Sequence, residues 1–182
     1  MSFDNNDLEA YGMTVQGQLP EPLEPQTYEQ AMNGPYREQW IKAMQEEMKS
    51  LSLNCTWEEV PRTQQMNVLS GKWVFKIKRG PNGEISRFKA RWVVRGFEQQ
   101  QGIDFSETFA SVVRQKTYRV LFALAAIHDW EIEQMDVKTA FLYGPIDTEV
   151  FVELPTGFTK DGTVCRLRKA LYGLKQALRI WY

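Results

Sequence analysis

The stretch 71–97, "GKWVFKIKRGPNGEISRFKARWVVRGF", alternates apolar and cationic side chains on both sides of Asn82-Gly83. Period-two alternation marks a strand with one buried face, and Asn-Gly is the preferred pair for a two-residue hairpin turn. Pairing Pro81 with Glu84 across that turn sets Trp73 opposite Trp92, Phe75 opposite Ala90 and Ile77 opposite Phe88, all on one apolar face. On the other face Lys76 opposes Lys89, Lys78 opposes Arg87 and Val74 opposes Arg91. A one-residue slip would mix aromatics and cations on each face, so the parity of the register is strongly specified. Residues 72–95 hold eight Lys and Arg against one acid, Glu84. Like charges directly opposite one another destabilise a sheet. Such a face calls for an anion, and the phosphates of a nucleic acid or nucleotide are the natural candidates. An exposed edge hairpin kept soluble by lysines is the plainer alternative.

The same asymmetry runs through the whole chain. Its 182 residues carry a formal net charge of −1, but residues 1–71 sum to −7 and residues 72–182 to +6. Residues 1–26, with three prolines in "LPEPLEP", read as a flexible lead-in. Thr27 is placed to cap a first helical turn. In 35–51, Trp40, Ile41, Met44, Met48 and Leu51 recur at three- and four-residue steps, which predicts an amphipathic docking helix. "TWEEVP", 56–61, predicts a short strand. "TYRVLFALAAIHDW", 117–130, predicts a largely buried helix with His128, the only histidine, at its end. "EIEQMDV" predicts a strand that leaves the acid Asp136 at its apolar end, where burial is costly unless compensated. "EVFVELP" and "VCRLRKAL" predict two further short strands, and "YGLKQALRIWY" the start of a helix. This order is an α+β pattern. No apolar run is long enough for a membrane span, and the first residues lack a signal peptide's basic start and apolar core. Cys55 and Cys165 are too few and too far apart for a zinc site or a disulfide framework. These features fit an intracellular, non-secreted protein with no membrane partner.

Four blocks together resemble the reverse transcriptase domain of Ty1/copia-type retrotransposons, over residues 27–182. They are "EQWIKAMQEEMKSLSLNCTWEEVP", "KWVFKIKRGPNGEISRFKARWVVRGFEQQQGIDFSETFASVV", "EIEQMDVKTAFLYGPIDTEVFVELPTGF" and "VCRLRKALYGLKQALRIWY". Several long blocks in order are far more specific than one short motif. The resemblance implies part of a right-hand polymerase fold, the fingers and part of the palm, led by a helix and the basic hairpin. It implies an RNA-directed DNA polymerase that uses two Mg²⁺ ions to stabilise the attacking and leaving oxygens. Asp136 matches the first metal-binding, catalytic aspartate, with the Val137 carbonyl as a further ligand. Lys89 and Arg91 lie where the fingers contact the triphosphate, and Phe141 where an aromatic excludes a 2′-hydroxyl. Tyr172 and Gly173 fall where related enzymes line the nucleotide pocket. Lys76, Lys78, Arg87 and Lys175 are candidates for nucleic-acid phosphate contact. The implied partners are a primer–template of RNA and DNA, deoxynucleoside triphosphates, and the rest of a polyprotein, with integrase upstream and RNase H downstream. The implied location is a cytoplasmic particle or the nucleus. The chain departs from the family pattern at Ser111 and Leu178, where proline is usual. It also contains no Asp-Asp pair for the family's second acidic motif. One carboxylate cannot hold two magnesium ions, so the expectation is a fragment that does not polymerise alone. A non-catalytic nucleic-acid-binding remnant of a decayed element is the alternative.

Overall fold

The computed structural model describes residues 21–182. The aromatic face of the hairpin organises the core. Strands β3 (Gly71–Arg79) and β4 (Ile85–Val94) pair antiparallel in the expected register, with Trp73 opposite Trp92, Phe75 opposite Ala90 and Ile77 opposite Phe88. The turn differs. The register shifts after Lys78, so that Arg79 pairs with Ile85 and Pro81 does not pair with Glu84. Proline has no N–H to give to the ladder. Pro81 instead sits inside a turn closed by Gly83 N–H on the Gly80 carbonyl at 3.0 Å, with Gly83 at φ 83°. Gly80 N–H then bonds the Glu84 carbonyl at 2.8 Å. This is the longer hairpin loop, in which a left-handed glycine restores the strand path.

Helix α1 (Tyr28–Asn33) is capped by the Thr27 hydroxyl, which accepts from Gln30 N–H at 3.2 Å. Helix α2 (Arg37–Leu53) follows and lies against the aromatic face of the hairpin. Trp40 meets Phe75 and Phe88 edge-on, with centroids 5.1 and 4.8 Å apart, and Trp73 meets Trp92 at 5.4 Å. Edge-to-face aromatic pairs add about 0.5–1.5 kcal/mol each beyond their burial. Trp73 also satisfies its indole N–H on the Thr156 carbonyl at 2.9 Å.

A second sheet has the order β1-β6-β5-β2, from β1 (Trp57–Pro61), β2 (Val68–Leu69), β5 (Phe151–Val152) and β6 (Thr163–Leu167). β1 and β5 flank β6 antiparallel, and β2 joins β5 in parallel. The strands expected in 56–61, 149–155 and 164–171 therefore form, the middle one only two residues long. Cys165, in β6, is buried, whereas Cys55, just past α2, is exposed. The last block docks on the end of β4: Val94 N–H bonds the Tyr172 carbonyl at 2.8 Å. A short helix, α4 (Ala177–Trp181), ends the described chain. Mixed helix and sheet is the architecture that the residue pattern implied.

Two expectations fail. Helix α3 (Gln115–His128) forms but is not buried; of its residues only Ala125 is. Val120, Phe122 and Ile127 are 58%, 54% and 74% exposed, because among the described residues no element covers their face. The segment 130–138 forms no strand, and Asp136 is exposed rather than buried. A strand needs a neighbour's ladder, and among the described residues this segment pairs with none of the six strands. Asp136 is thus solvated, and burial leaves no charge there to compensate. The proposed lead-in, 1–26, lies mostly outside the described residues. Within its last six residues two acids reach the hairpin. Glu24 accepts from Lys76 Nζ at 2.8 Å and from Ile77 N–H at 3.0 Å, and Glu21 accepts from Arg79 at 2.9 Å. Among the described residues no helix is long and apolar enough to cross a membrane.

Candidate nucleotide-phosphate cleft

Among the described residues, no strand pairs with the outer edge of β4. Between that edge, helix α2 and the segment 136–141 lies a cleft of about 360 Å³. Lys89, Arg91, Asp136, Val137, Phe141 and Tyr172 all line it, so six of the residues singled out from sequence come together in one place. Arg87 lines it too, and pairs with Glu46 at 2.7 Å. Strand alternation places Arg87, Lys89 and Arg91 along one row of β4. The Asp136 side of the cleft is built by a tight turn. Thr139 adopts φ 54°, and Leu142 N–H bonds its carbonyl at 2.8 Å, starting a 3₁₀ turn over Ala140–Tyr143 that aims Phe141 inward.

The aromatic wall is continuous with the cationic one. Phe141 meets Tyr172 edge-on at 5.2 Å, and the Arg91 guanidinium carbon lies 5.3 Å from the centre of the Tyr172 ring. A cation over an aromatic face gains about 0.5–2 kcal/mol and keeps its N–H groups free for other acceptors. Among the described residues, no carboxylate lies within 4 Å of Lys89 or Arg91. Lys89 is held below the usual lysine pKa, first by partial burial and then by Arg91 and Arg87. The Glu47 carboxylate pulls it the other way without offsetting them.

The remaining singled-out residues lie elsewhere. Lys76 is engaged by Glu24. Lys78 continues the cationic row towards the turn, without an ion pair among the described residues. Gly173 lies behind the cleft at φ 94°, where an added Cβ would stand 2.0 Å from the Val94 carbonyl oxygen, so glycine lets this loop close onto β4. Lys175 turns inward: its N–H bonds Gln99 Oε1 at 2.8 Å and its Nζ reaches the Gln99 carbonyl at 3.2 Å. Behind it lies a buried polar network. Gln99 Nε2 donates to Gln176 Oε1 at 2.9 Å, and Gln176 Nε2 donates to the Asp104 carbonyl at 2.8 Å.

Sequence reasoning missed Glu47. It lines the cleft from α2, and its buried Oε1 has no hydrogen-bond partner among the described residues. Burial raises its carboxyl above the usual pKa range, against the opposing pull of Arg91, the Trp92 N–H and Lys89. A signal was present: Glu47 falls on the helical stripe of Trp40, Met44 and Leu51, all at most 2% exposed. An acid on a buried stripe is the informative exception.

The cleft does not fit a complete two-metal centre. Among the described residues no group of three His, Cys, Asp or Glu side chains is placed to hold an ion. Asp136 with the Val137 carbonyl would supply part of one magnesium's oxygen ligands, of which magnesium prefers an octahedral set.

A family model described as reverse transcriptase (RNA-dependent DNA polymerase) matches residues 54–182. The chain is 46% identical over 167 residues to the retrovirus-related Pol polyprotein from transposon TNT 1-94 of Nicotiana tabacum; the match covers 90% of this chain and 13% of that protein. It is 39% identical over 163 residues to the Pol polyprotein from transposon RE2 of Arabidopsis thaliana, covering 87% and 11%. It is 28% identical over 151 residues to the transposon Ty1-BL Gag-Pol polyprotein of Saccharomyces cerevisiae, covering 80% and 8%. No solved structure matches. The chain thus spans about a tenth of the polyproteins it resembles. Its blocks, its hairpin and the matched family model make it a member of the reverse transcriptase (RNA-dependent DNA polymerase) family, of the copia type.

Proposed function

We propose that the cleft is the triphosphate-binding part of an RNA-directed DNA polymerase, in a partial fingers-and-palm fold. Lys89 and Arg91 take the phosphates, and Phe141 lies under the sugar and rejects a 2′-hydroxyl. Tyr172 carries the Arg91 guanidinium, and Gly173 lets that loop reach the strand. Asp136 and the Val137 carbonyl contribute to magnesium binding. The observation that supports this most is the pairing pattern of the hairpin cations. Lys76, Arg79 and Arg87 meet carboxylates of the chain, whereas Lys89 and Arg91, facing Asp136, do not. Lys78 extends the row towards a primer–template strand, and Arg87 joins it once released from Glu46. Lys76 and Lys175, engaged within the fold, belong to that contact only if they exchange partners. Nucleotidyl transfer itself belongs to the assembled polyprotein, because the metal ligands of this cleft are incomplete.

Titration with a base-labelled deoxynucleoside triphosphate tests the reading. Lys89→Ala and Arg91→Ala should each weaken binding roughly tenfold, the scale of a lost charged hydrogen bond. Lys76→Ala should leave it unchanged. Equal weakening by all three would reduce the site to general positive charge. The second reading, a nucleic-acid-binding remnant without metal chemistry, draws on the solvated, isolated Asp136. Asp136→Asn separates the two: it abolishes the Mg²⁺ dependence of nucleotide binding in the first case and changes nothing in the second. Primer extension by the chain alone should be absent.

A further inference from the structure

Glu47 has no role in that reading, yet it stands inside the cleft. Its Oε1 is the buried side-chain oxygen that lacks a hydrogen-bond partner among the described residues. An orphaned buried acceptor is costly and calls for an explanation. The charges around it supply one. From β4 it is faced by Lys89 and Arg91, with Arg87 beside them; across the cleft are Asp136 and Lys138, and on its own helix is Glu46. Glu46 is spent on Arg87 at 2.7 Å. Glu47 is not spent: it influences Lys89 and Arg91 without lying within 4 Å of either. A direct salt bridge would occupy the N–H groups of those cations. A carboxylate held at a distance reduces the repulsion within the cationic row while leaving those donors directed at the cleft.

We infer that Glu47 is the resident counter-ion of the phosphate cleft, a positioning residue that balances Lys89 and Arg91 when the cleft is empty and opposes the anion that fills it. The inference rests on the triphosphate reading above. A residue that merely shapes the fold would weaken ligand binding when replaced. A resident counter-ion does the opposite, since removing its charge removes a repulsion from the incoming phosphates. Trp40, Met44 and Leu51, on the same stripe of α2, are buried in the core, which fixes the helix beside β4 and keeps Glu47 in the lining of the cleft.

Isothermal titration of the full chain with inorganic tripolyphosphate, without divalent ions, decides the matter. Glu47→Gln, which keeps the shape and removes the charge, should tighten binding roughly fivefold at low salt. Glu47→Met should shift it in the same direction, and Glu46→Gln should have a smaller effect. The gain should shrink as salt is raised. Unchanged or weaker binding in both Glu47 variants, with Lys89→Ala still impaired, overturns the counter-ion while leaving the triphosphate site standing. If the wild type and both variants fail to bind tripolyphosphate, the triphosphate reading falls as well.

Discussion

Thr139 holds a left-handed conformation, φ 54°, that a β-branched side chain tolerates poorly. It makes the turn that carries Phe141 into the cleft, so its strain sits beside the proposed nucleotide site. Left-handed geometry costs an L-residue about 1–2 kcal/mol, part of which glycine forfeits through the greater freedom of its unfolded chain. Thr139→Gly should therefore stabilise the chain by about 1 kcal/mol in urea denaturation; a lower midpoint would mean that the hydroxyl matters more than the torsion. Glu47 gives the second residue-scale expectation. Its folded pKa is raised by burial, so the folded state resists its ionisation. Its contribution to stability is most favourable below the ordinary carboxylate value and is lost as pH rises through the raised folded value. Glu47→Gln should thus exceed the wild type in stability near neutral pH, and the gap should close in acid. A constant gap from acid to neutral pH would show that Glu47 ionises as freely when folded as when unfolded.

The hairpin shows what was legible at the level of elements. Two faces of opposite character fixed the pairing of Trp73 with Trp92 and of Lys76 with Lys89, and that pairing formed. The loop was misread because Asn82-Gly83 suggested two residues, while Pro81 ruled out the ladder bond that such a turn requires. Burial of α3 was misread for another reason. Apolar content says that a helix can be buried, not that a neighbour exists to bury it. The strand expected at 131–137 failed in the same way, since alternation supplies a face but not a partner strand. In the cleft, the cations were legible from strand alternation, whereas Asp136 and Phe141 were singled out only by the family resemblance of their block, and the turn between them was not foreseen. Glu47 was not, because its meaning depends on which strand α2 packs against. Gly173 offers an element-scale test. A Cβ there would meet the Val94 carbonyl at 2.0 Å, on a backbone at φ 94°. Gly173→Ala should cost more than about 2 kcal/mol and detach the last block from β4, which loss of exchange protection at Val94 N–H would report.

Across the whole molecule, burial is uneven. The hairpin, α2 and the last block share one core of aromatic and aliphatic side chains, while Val112, Phe122, Ile127, Trp130 and Met135 remain more than half exposed. Local stability follows buried contacts. Limited proteolysis should therefore cut first between about 106 and 139, leaving the hairpin core intact; a first cut within 71–94 would contradict this distribution. The placement of the two cysteines has a further consequence. Burial, helped by Glu59 and Glu153, pushes the Cys165 thiol up to about 12, which leaves it without thiolate at neutral pH, whereas Cys55 is exposed at the end of α2. A maleimide dye would therefore settle on Cys55 alone. Natural sequence thus provides a single optical reporter just past the end of the helix that carries Glu47, able to register ligand entry without any engineered label site.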